Sequence, residues 1–167
     1  MKLILLSAFL FFNYPTKTFL NTNKSFDGKV IKIVDGDTFD VLTNNNSTIR
    51  IRMNGIDCPE RKQDYYQVCK NALAQFIFGK NVQLVTHGKD RYQRIIADVF
   101  YKNENINVAM IQNGFAWHYK KYSSDERMAK AEQNARIKKT GLWKMKDAIA
   151  PWDFRKLNKT KKKKASK

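Results

Sequence analysis

The chain has 167 residues, enough for one folded domain with terminal extensions, and it carries a net charge of +17. Arg155 and the residues after it supply eight basic side chains and no acid, so the rest of the chain still carries +9. A field this strong attracts polyanions, most commonly nucleic acid, although a membrane-binding or merely soluble basic protein would share it. The two cysteines and two isolated histidines lack the spacing of a zinc site, so the sequence does not indicate a zinc protein.

Residues 1–20 predict a secretory signal peptide. Met-Lys is followed by an apolar run from Leu3 to Phe12, which Ser7 alone interrupts. One positive charge and about ten apolar residues are typical of a leader, and the run is too short for an ordinary membrane span. An uncleaved anchor is the alternative. We therefore expect a secreted or periplasmic protein.

The segment 26–154 predicts one α+β domain. Apolar and polar residues alternate in five runs, which predicts strands over 26–34, 38–43, 48–53, 82–86 and 95–101. Apolar residues at spacings of three and four predict three α-helices, over 64–78, 107–113 and 123–138, each with a glycine close after its end. The simplest closure is a five-stranded antiparallel barrel of the oligonucleotide-binding (OB) type with the helices packed beside it.

Local signals also mark the last helix and the end of the chain. Ser123 and Glu126 have the spacing of a capping box at the start of the third helix. Trp143 and Trp152 are expected to dock the final part of the domain on its body. Residues 155–167 are rich in lysine with little to bury, which predicts a disordered basic tail.

Two tight turns and the strand between them place acids and arginines close together. Asp37 lies at the first turn, Asp57 and Glu60 lie at the second, and Arg52 projects from the strand between them. Arg94 comes from the loop after the fourth strand. Hydrolysis of a phosphodiester needs positive charge at the phosphate and a carboxylate that activates or orients water. Because arginine grips phosphate in a bidentate fork, these residues predict a phosphodiester-hydrolysing site.

The same acids suggest a bound cation. Carboxylates without a cluster of histidines or thiolates favour a hard cation, calcium or magnesium, over zinc. The alternative is that aspartates at tight turns cap the backbone, and we prefer it for Asp35, which precedes Gly36. That alternative does not explain several acids and arginines in one place.

Three segments carry a resemblance to a known family. They are Val-Asp-Gly-Asp-Thr at 34–38, Ile-Arg-Ile-Arg-Met-Asn-Gly-Ile-Asp-Cys-Pro-Glu at 49–60 and Asp-Arg-Tyr-Gln-Arg at 90–94. In this order they resemble the staphylococcal nuclease (thermonuclease) family, with similarity from about residue 28 to residue 143. The resemblance implies an OB-type barrel with helices, which agrees with the periodicities.

The resemblance also implies a role for each residue of the site. Asp37 and Asp57 would bind calcium, helped by the main-chain carbonyl of Cys58. Glu60 would be the general base or would orient the attacking water. The residues that would clamp the scissile phosphate and stabilise its pentacoordinate state are Arg52 and Arg94.

Further positions would contact the substrate. Arg91 and Tyr92 match positions that border the nucleotide in relatives. Either Tyr119 or Tyr122 matches a nucleotide-contacting tyrosine, and the length of the connector leaves this choice open. The resemblance implies a monomer without a stable protein partner that cuts DNA and RNA, preferably single-stranded, with modest sequence preference and 3′-phosphate products.

Two positions depart from the family pattern. Gln93 stands where relatives often have glycine, so a positive φ at that position would strain the loop before Arg94. Cys58 stands where alanine or threonine is usual. In an exported protein Cys58 and Cys69 could form a disulfide, and two unrelated thiols are the alternative.

Two other functions remain as alternatives. One is a catalytically inert nucleic-acid-binding barrel, which predicts substitutions among the five site residues, and all five are present. The other is a metal-independent nuclease of the phospholipase D type, with His118 as nucleophile beside Lys120 and Asp125. The second pattern is short enough to recur by accident, and Asp125 is equally suited to cap a helix.

Overall fold

The structure is a computed structural model that describes residues 24–165. Its elements in chain order are β1 Ser25–Ile33, β2 Thr38–Thr43, β3 Thr48–Met53, β4 Ile56–Asp57, α1 Tyr66–Ile77, β5 Asn81–Lys89, β6 Ile95–Tyr101, β7 Glu104–Asn105, α2 Ile106–Gln112, β8 Trp117–His118, α3 Glu126–Ile137, a 3₁₀ turn Gly141–Lys144 and α4 Pro151–Ala165. The predicted leader, residues 1–20, lies outside the described residues. Within residues 24–165, none of the helices has the length and hydropathy needed to cross a membrane.

Five strands close into a barrel in the order β3-β2-β1-β5-β6, and β6 pairs back onto β3. Four of the pairings are antiparallel, but β3 and β6 run parallel. An odd number of alternating strands cannot close without one parallel pair, and β3 and β6 form that pair. The predicted fold class, an α+β OB-type barrel, is confirmed.

Alternating residues fill the barrel as the strand patterns predict. Phe39 and Val41 of β2 and Ile51 of β3 are completely buried, while the intervening positions face outward or towards the site. Helices α1, α2 and α3 add Leu73, Met110 and Met128 respectively to the same core. Burying such side chains stabilises the fold by about 1.5–3 kcal/mol each, so this single core holds barrel and helices together.

A second, smaller cluster of aromatic residues docks the end of the chain. The rings of Trp117 and Trp143 meet edge to face with centroids 4.3 Å apart, and Trp152 approaches Trp117 at 5.6 Å. The guanidinium of Arg136 lies 3.9 Å from the centre of the Trp143 ring. Pro151 is also buried beside this cluster. The expectation that these residues anchor the final segment is therefore confirmed.

The predicted disorder of residues 155–167 was wrong for the part that the structure describes. Helix α4 begins at Pro151 and continues to Ala165, so residues 24–165 contain four α-helices rather than three. Proline is well suited to the first turn of a helix, Asp153 suits its positive end, and lysine is a good helix former. Lysine-rich composition alone predicts disorder. Here the helix forms because Trp152 and Arg155 hold its first turn on the domain.

The start of α3 also differs from the capping-box prediction. The side chain of Asp125 accepts a hydrogen bond from the N–H of Arg127 at 2.8 Å and forms the cap. The hydroxyl of Ser123 accepts from the N–H of Asp125 at 3.2 Å. A charged carboxylate interacts more strongly than a hydroxyl with the free N–H groups of the first turn, which favours Asp125.

Candidate active site

The backbone packs the two acidic turns directly against each other. The N–H of Cys58 donates to the carboxylate of Asp37 at 2.9 Å, and the N–H of Met53 donates to the Asp37 carbonyl at 2.9 Å. Gly36 permits this approach, because a Cβ at that position would lie 2.8 Å from the Cβ of Cys58 and 2.8 Å from the Sγ of Cys69. A glycine between the first two acids is therefore a packing requirement.

Arg52 bridges the two aspartates. Its Nη2 lies 3.1 Å from Oδ2 of Asp37 and 3.1 Å from Oδ1 of Asp57, while Nη1 donates to the carbonyl of Met53 at 3.0 Å. The side chain of Asp57 is only 2% exposed and that of Arg52 15%. One buried guanidinium thus holds two buried carboxylates as neighbours.

Arg94 reaches the same acids from the loop between β5 and β6. The carboxylate of Asp90 accepts from the backbone N–H of Arg94 at 3.0 Å and from its Nε at 2.7 Å, which fixes the side chain. Nη1 of Arg94 then donates to the hydroxyl of Thr38 at 3.3 Å, and that hydroxyl donates to Asp37 at 3.2 Å. The hydroxyl of Thr38 therefore links Arg94, the second predicted arginine, to Asp37.

Arg155 of α4 completes the cluster, and sequence reasoning missed it. Its Nη2 lies 2.7 Å from Oδ2 of Asp57, and its Nη1 lies 2.5 Å from Oε1 of Glu60. This guanidinium joins Glu60 to the pair of aspartates. The available signal was the spacing of Trp152 and Arg155, which share one helix face when a helix begins at Pro151. We call Asp37, Asp57, Glu60, Arg52, Arg94 and Arg155 the acid–arginine cluster.

The electrostatics of the cluster favour a cation. Burial, together with the negative charge of Asp37, raises the pKa of Asp35 to about 7. Burial raises the pKa of Asp57 to about 6, although the hydrogen bond from Arg155 acts in the opposite direction. The N–H of Asp37 also donates to Asp35 at 3.2 Å, as expected of an aspartate at a turn. Burial therefore disfavours the charged forms of Asp35 and Asp57, and a cation bound beside them would stabilise those forms.

The donors present fit a hard cation better than a soft one. Asp37 and Asp57 offer carboxylate oxygens, and burial raises the pKa of the Cys58 thiol, so the thiol stays protonated. Among the residues that the structure describes, no group of three or more histidine, cysteine, aspartate and glutamate side chains is arranged to hold a metal. A cation at the two aspartates would complete its coordination with main-chain oxygen and water, as calcium and magnesium do.

The predicted substrate residues lie around the cluster. Nη2 of Arg91 donates to the hydroxyl of Tyr92 at 2.8 Å, and the guanidinium of Arg94 lies 5.5 Å from the Tyr92 ring. Tyr92 itself is 64% exposed, so its ring is accessible beside Arg94. The ring of Tyr119 lies 6.0 Å from the guanidinium of Arg155, whereas Tyr122 is mainly exposed. Of the two tyrosines, Tyr119 is therefore the one beside Arg155 of the cluster.

Other charged and reactive side chains stay outside the cluster. Arg50, which shares β3 with Arg52, makes a two-point ion pair with Asp40 at 2.8 and 3.1 Å. Cys58 and Cys69 are both buried and free in the structure. Their thiols donate to the carbonyls of Gly36 and Phe115, at 3.2 and 2.7 Å respectively.

The three residues of the phospholipase D pattern do not form a joint site. His118 is 2% exposed, Lys120 lies 3.2 Å from Glu132, and Asp125 caps α3. A nucleophile must reach the phosphorus of its substrate, and a ring buried in this way does not. The geometry gives this alternative no support.

The position of Gln93 yields a first prediction. Gln93 has a φ of 61°, in the left-handed region that costs a residue other than glycine about 1–2 kcal/mol. Gln93→Gly should raise the free energy of unfolding by about 1 kcal/mol, since relief of strain exceeds the added entropy of the unfolded chain. Urea unfolding measures the change. Gln133→Gly, on the exposed face of α3, is the control and should lower stability by about 1 kcal/mol; equal losses in both variants would contradict the prediction.

A barrel of the OB type with acids and arginines gathered on it defines a nuclease class. The family described as staphylococcal nuclease homologue matches residues 50–145. An uncharacterized endonuclease of Haemophilus influenzae is 40% identical over 158 residues, which cover 95% of this chain and 87% of that protein. A micrococcal nuclease of Shigella flexneri is 37% identical over 145 residues, covering 80% of this chain and 83% of that protein.

The chain belongs to the staphylococcal nuclease family. The family resemblance drawn from the three motifs is therefore confirmed. Membership makes the protein a hydrolytic nuclease with nucleic acid as its substrate.

Proposed function

We propose that this protein is a secreted or periplasmic, calcium-dependent phosphodiesterase that hydrolyses DNA and RNA with little sequence preference and leaves 3′-phosphate ends. The observation that carries the proposal is the bridge of Arg52 between Asp37 and Asp57, with Glu60 joined to Asp57 through Arg155. This arrangement combines a carboxylate that can take a proton with guanidiniums that can hold a phosphate.

The arginines would act on the phosphate. Arg52 and Arg94 would exchange part of their present contacts for the oxygens of the scissile phosphate and stabilise the charge that builds up on them. Two fixed guanidiniums in a partly buried site act more strongly than they would in water, because the local dielectric is lower. The buried contacts of Arg52 favour this role, since its side chain is already oriented.

Glu60 would act on the water. Its side chain is 39% exposed, the most accessible of the three clustered acids, so water can reach it. It would take a proton as the water oxygen bonds to phosphorus and the bond from phosphorus to the 5′ oxygen breaks. The 5′ oxygen leaves as a hydroxyl after gaining a proton, and the phosphate stays on the 3′ oxygen.

A calcium ion held by Asp37, Asp57 and the main-chain carbonyl of Cys58 would supply positive charge to the phosphate oxygens. Backbone charge and stacking dominate such binding and read sequence weakly, which supports a broad substrate range and a preference for single strands. We further propose that the protein acts as a monomer without a stable protein partner.

Digestion of single-stranded DNA and of RNA tests the proposal. With calcium present, both substrates should be cut. The products should prime a polymerase only after a 3′-phosphatase has removed their terminal phosphate. Excess chelator should abolish cleavage, and calcium added back should restore it. Cleavage that survives the chelator would contradict calcium dependence, and binding without cleavage would support the inert barrel.

A further inference from the structure

The guanidinium of Arg155 occupies both oxygens of the Asp57 carboxylate. Its Nη1 donates to Oδ1 at 3.2 Å, and its Nη2 donates to Oδ2 at 2.7 Å. Nη2 of Arg52 also donates to Oδ1, at 3.1 Å. The side chain of Asp57 is only 2% exposed, so it offers little surface to water. A cation that binds Asp57 therefore needs an oxygen that accepts hydrogen bonds from an arginine.

The two arginines on Asp57 differ in how firmly they are held. Arg52 contacts Asp37 as well, at 3.1 Å, and its side chain is 15% exposed. The side chain of Arg155 is 36% exposed, and among the described residues its guanidinium donates to Asp57 and Glu60 alone. Since Arg155 has fewer buried contacts to lose, it is the arginine that can leave Asp57 at the lower cost.

The backbone that carries Arg155 is held by other contacts. Helix α4 begins at Pro151, which is buried. The ring of Trp152 meets Trp117 edge-on at 5.6 Å and stacks on Tyr119 at 5.1 Å. These contacts hold the first turn of α4 without help from the ion pairs. The long side chain of Arg155 can therefore turn its charged end towards water while the helix stays docked.

The charges of Arg155 and of a bound cation have opposite effects on the same acids. A guanidinium and a divalent cation at one carboxylate repel each other, and the repulsion is stronger in a partly buried site because the local dielectric is lower. In the cation-free protein, by contrast, Asp57 and Glu60 depend on the guanidinium for compensating charge, and a buried charge that loses its partner destabilises the fold. Arg155 therefore stabilises the cation-free protein and opposes the cation.

We propose that Arg155 competes with calcium for Asp57 and thereby sets the calcium concentration at which the site fills. In the cation-free protein its guanidinium neutralises Asp57 and Glu60, and in the calcium-bound protein its side chain turns outward. Because Arg155 also donates to Oε1 of Glu60, its departure frees that oxygen for the attacking water. Arg155 is thus a positioning residue that couples calcium binding to the release of Glu60. The inference rests on the calcium site of the proposed function.

Direct calcium binding to Arg155→Gln tests the competition. Glutamine keeps a polar side chain at this position and removes the positive charge. Titration calorimetry of the full chain with calcium, without nucleic acid, should give a Kd about tenfold lower than that of the wild-type chain, since the repulsion is lost. A purely structural role of Arg155 predicts an unchanged or higher Kd, and either result would overturn the proposal.

Lys156→Gln is the matched control for the calorimetry. It removes the same charge from the next position of α4, and the contact that it breaks is with the exposed Asp153, at 2.9 Å. A surface pair of this kind contributes little, so the calcium Kd should change less than about twofold. An equal fall of the Kd in both variants would reduce the effect to general charge and would overturn the competition at Asp57.

Thermal unfolding gives a second readout of the same variant. Arg155→Gln should have a lower Tm than the wild-type chain in chelator, because Asp57 and Glu60 lose their partner. Saturating calcium should raise the Tm of the variant by more than it raises that of the wild-type chain, because tighter binding stabilises the folded state further. An equal loss of Tm in chelator and in calcium would show a structural role only and would overturn the proposal.

Chemical modification of the wild-type chain tests the outward turn without any substitution. Phenylglyoxal modifies accessible arginines, and mass spectrometry of the digested protein identifies each modified position. Calcium should increase the modification rate of Arg155 and leave that of Arg50 unchanged, since Arg50 pairs with Asp40 outside the cluster. A rate at Arg155 that calcium does not change would overturn the proposal, including in the case that Arg155→Gln fails to fold.

The outcomes distinguish this inference from the proposed function. Calcium-dependent cleavage by the wild-type chain, together with equal calcium Kd values for the wild-type chain and Arg155→Gln, would remove the competition and leave the proposed function intact. Absence of calcium binding to both chains, together with cleavage that survives chelator, would remove the calcium site and the competition with it.

Discussion

Arg52→Lys is expected to lower kcat by about 10²–10³-fold while the barrel stays folded. The guanidinium of Arg52 bridges Asp37 and Asp57 and also contacts the Met53 carbonyl. A lysine ammonium keeps the positive charge, so the buried acids retain a partner, but it lacks the planar fork that could hold these groups and a phosphate together. Steady-state cleavage of a fluorescent single-stranded oligonucleotide measures kcat, and far-UV circular dichroism checks the fold.

Arg50→Lys is the matched control for this variant. Arg50 lies on the same strand two residues earlier, and its partner is Asp40, outside the acid–arginine cluster. Its replacement should change kcat less than about threefold. Near-normal turnover in Arg52→Lys, or equal losses in both variants, would remove Arg52 from the proposed mechanism.

Glu60→Gln is expected to lower kcat by about 10²–10⁴-fold, because an amide cannot take the proton of the attacking water. The change conserves size, and the side chain of Glu60 is partly exposed, so we expect stability to change by about 1 kcal/mol or less. Single-turnover cleavage with saturating enzyme measures the chemical step, and thermal unfolding reports stability.

The control for Glu60 is Glu104→Gln on the exposed strand β7, which removes the same charge away from the cluster. It should leave turnover unchanged. If Glu60→Gln cleaves at the normal rate, the role of general base passes to another group, and the proposed water activation is wrong. A loss in kcat with an unchanged Kd for the oligonucleotide supports it.

The strands of the barrel could be predicted because their signals are local. Strands β2, β3 and β6 have the predicted bounds, since alternating residues such as Phe39 and Val41 face one core. Strand β5 is longer than predicted, running from Asn81 to Lys89, because an irregularity after Thr86 interrupts the alternation. The parallel seam could not be read from any single strand, because it depends on how all five close.

The acid–arginine cluster was predictable in part for the same reason. Asp37, Asp57 and Arg52 come from one continuous stretch of chain whose turns bring them together. Arg155 contacts the same acids from the far end of the chain, and only tertiary packing through Trp152 places it there. Composition alone assigned Arg155 to a disordered tail, because the lysines after it outweighed the short anchoring signal before it.

The parallel seam between β3 and β6 has a consequence for the order of folding. Arg52 lies on this seam opposite Ile96, so its neighbours come from parts of the chain far apart in sequence. Contacts of this kind form late, because a long loop must close before they can be made. Arg94 and Arg155 reach the acids from distant parts of the chain, so the complete acid–arginine cluster assembles no earlier than barrel closure. An incompletely folded chain already has its full positive charge and can adhere to nucleic acid before it is able to cut it.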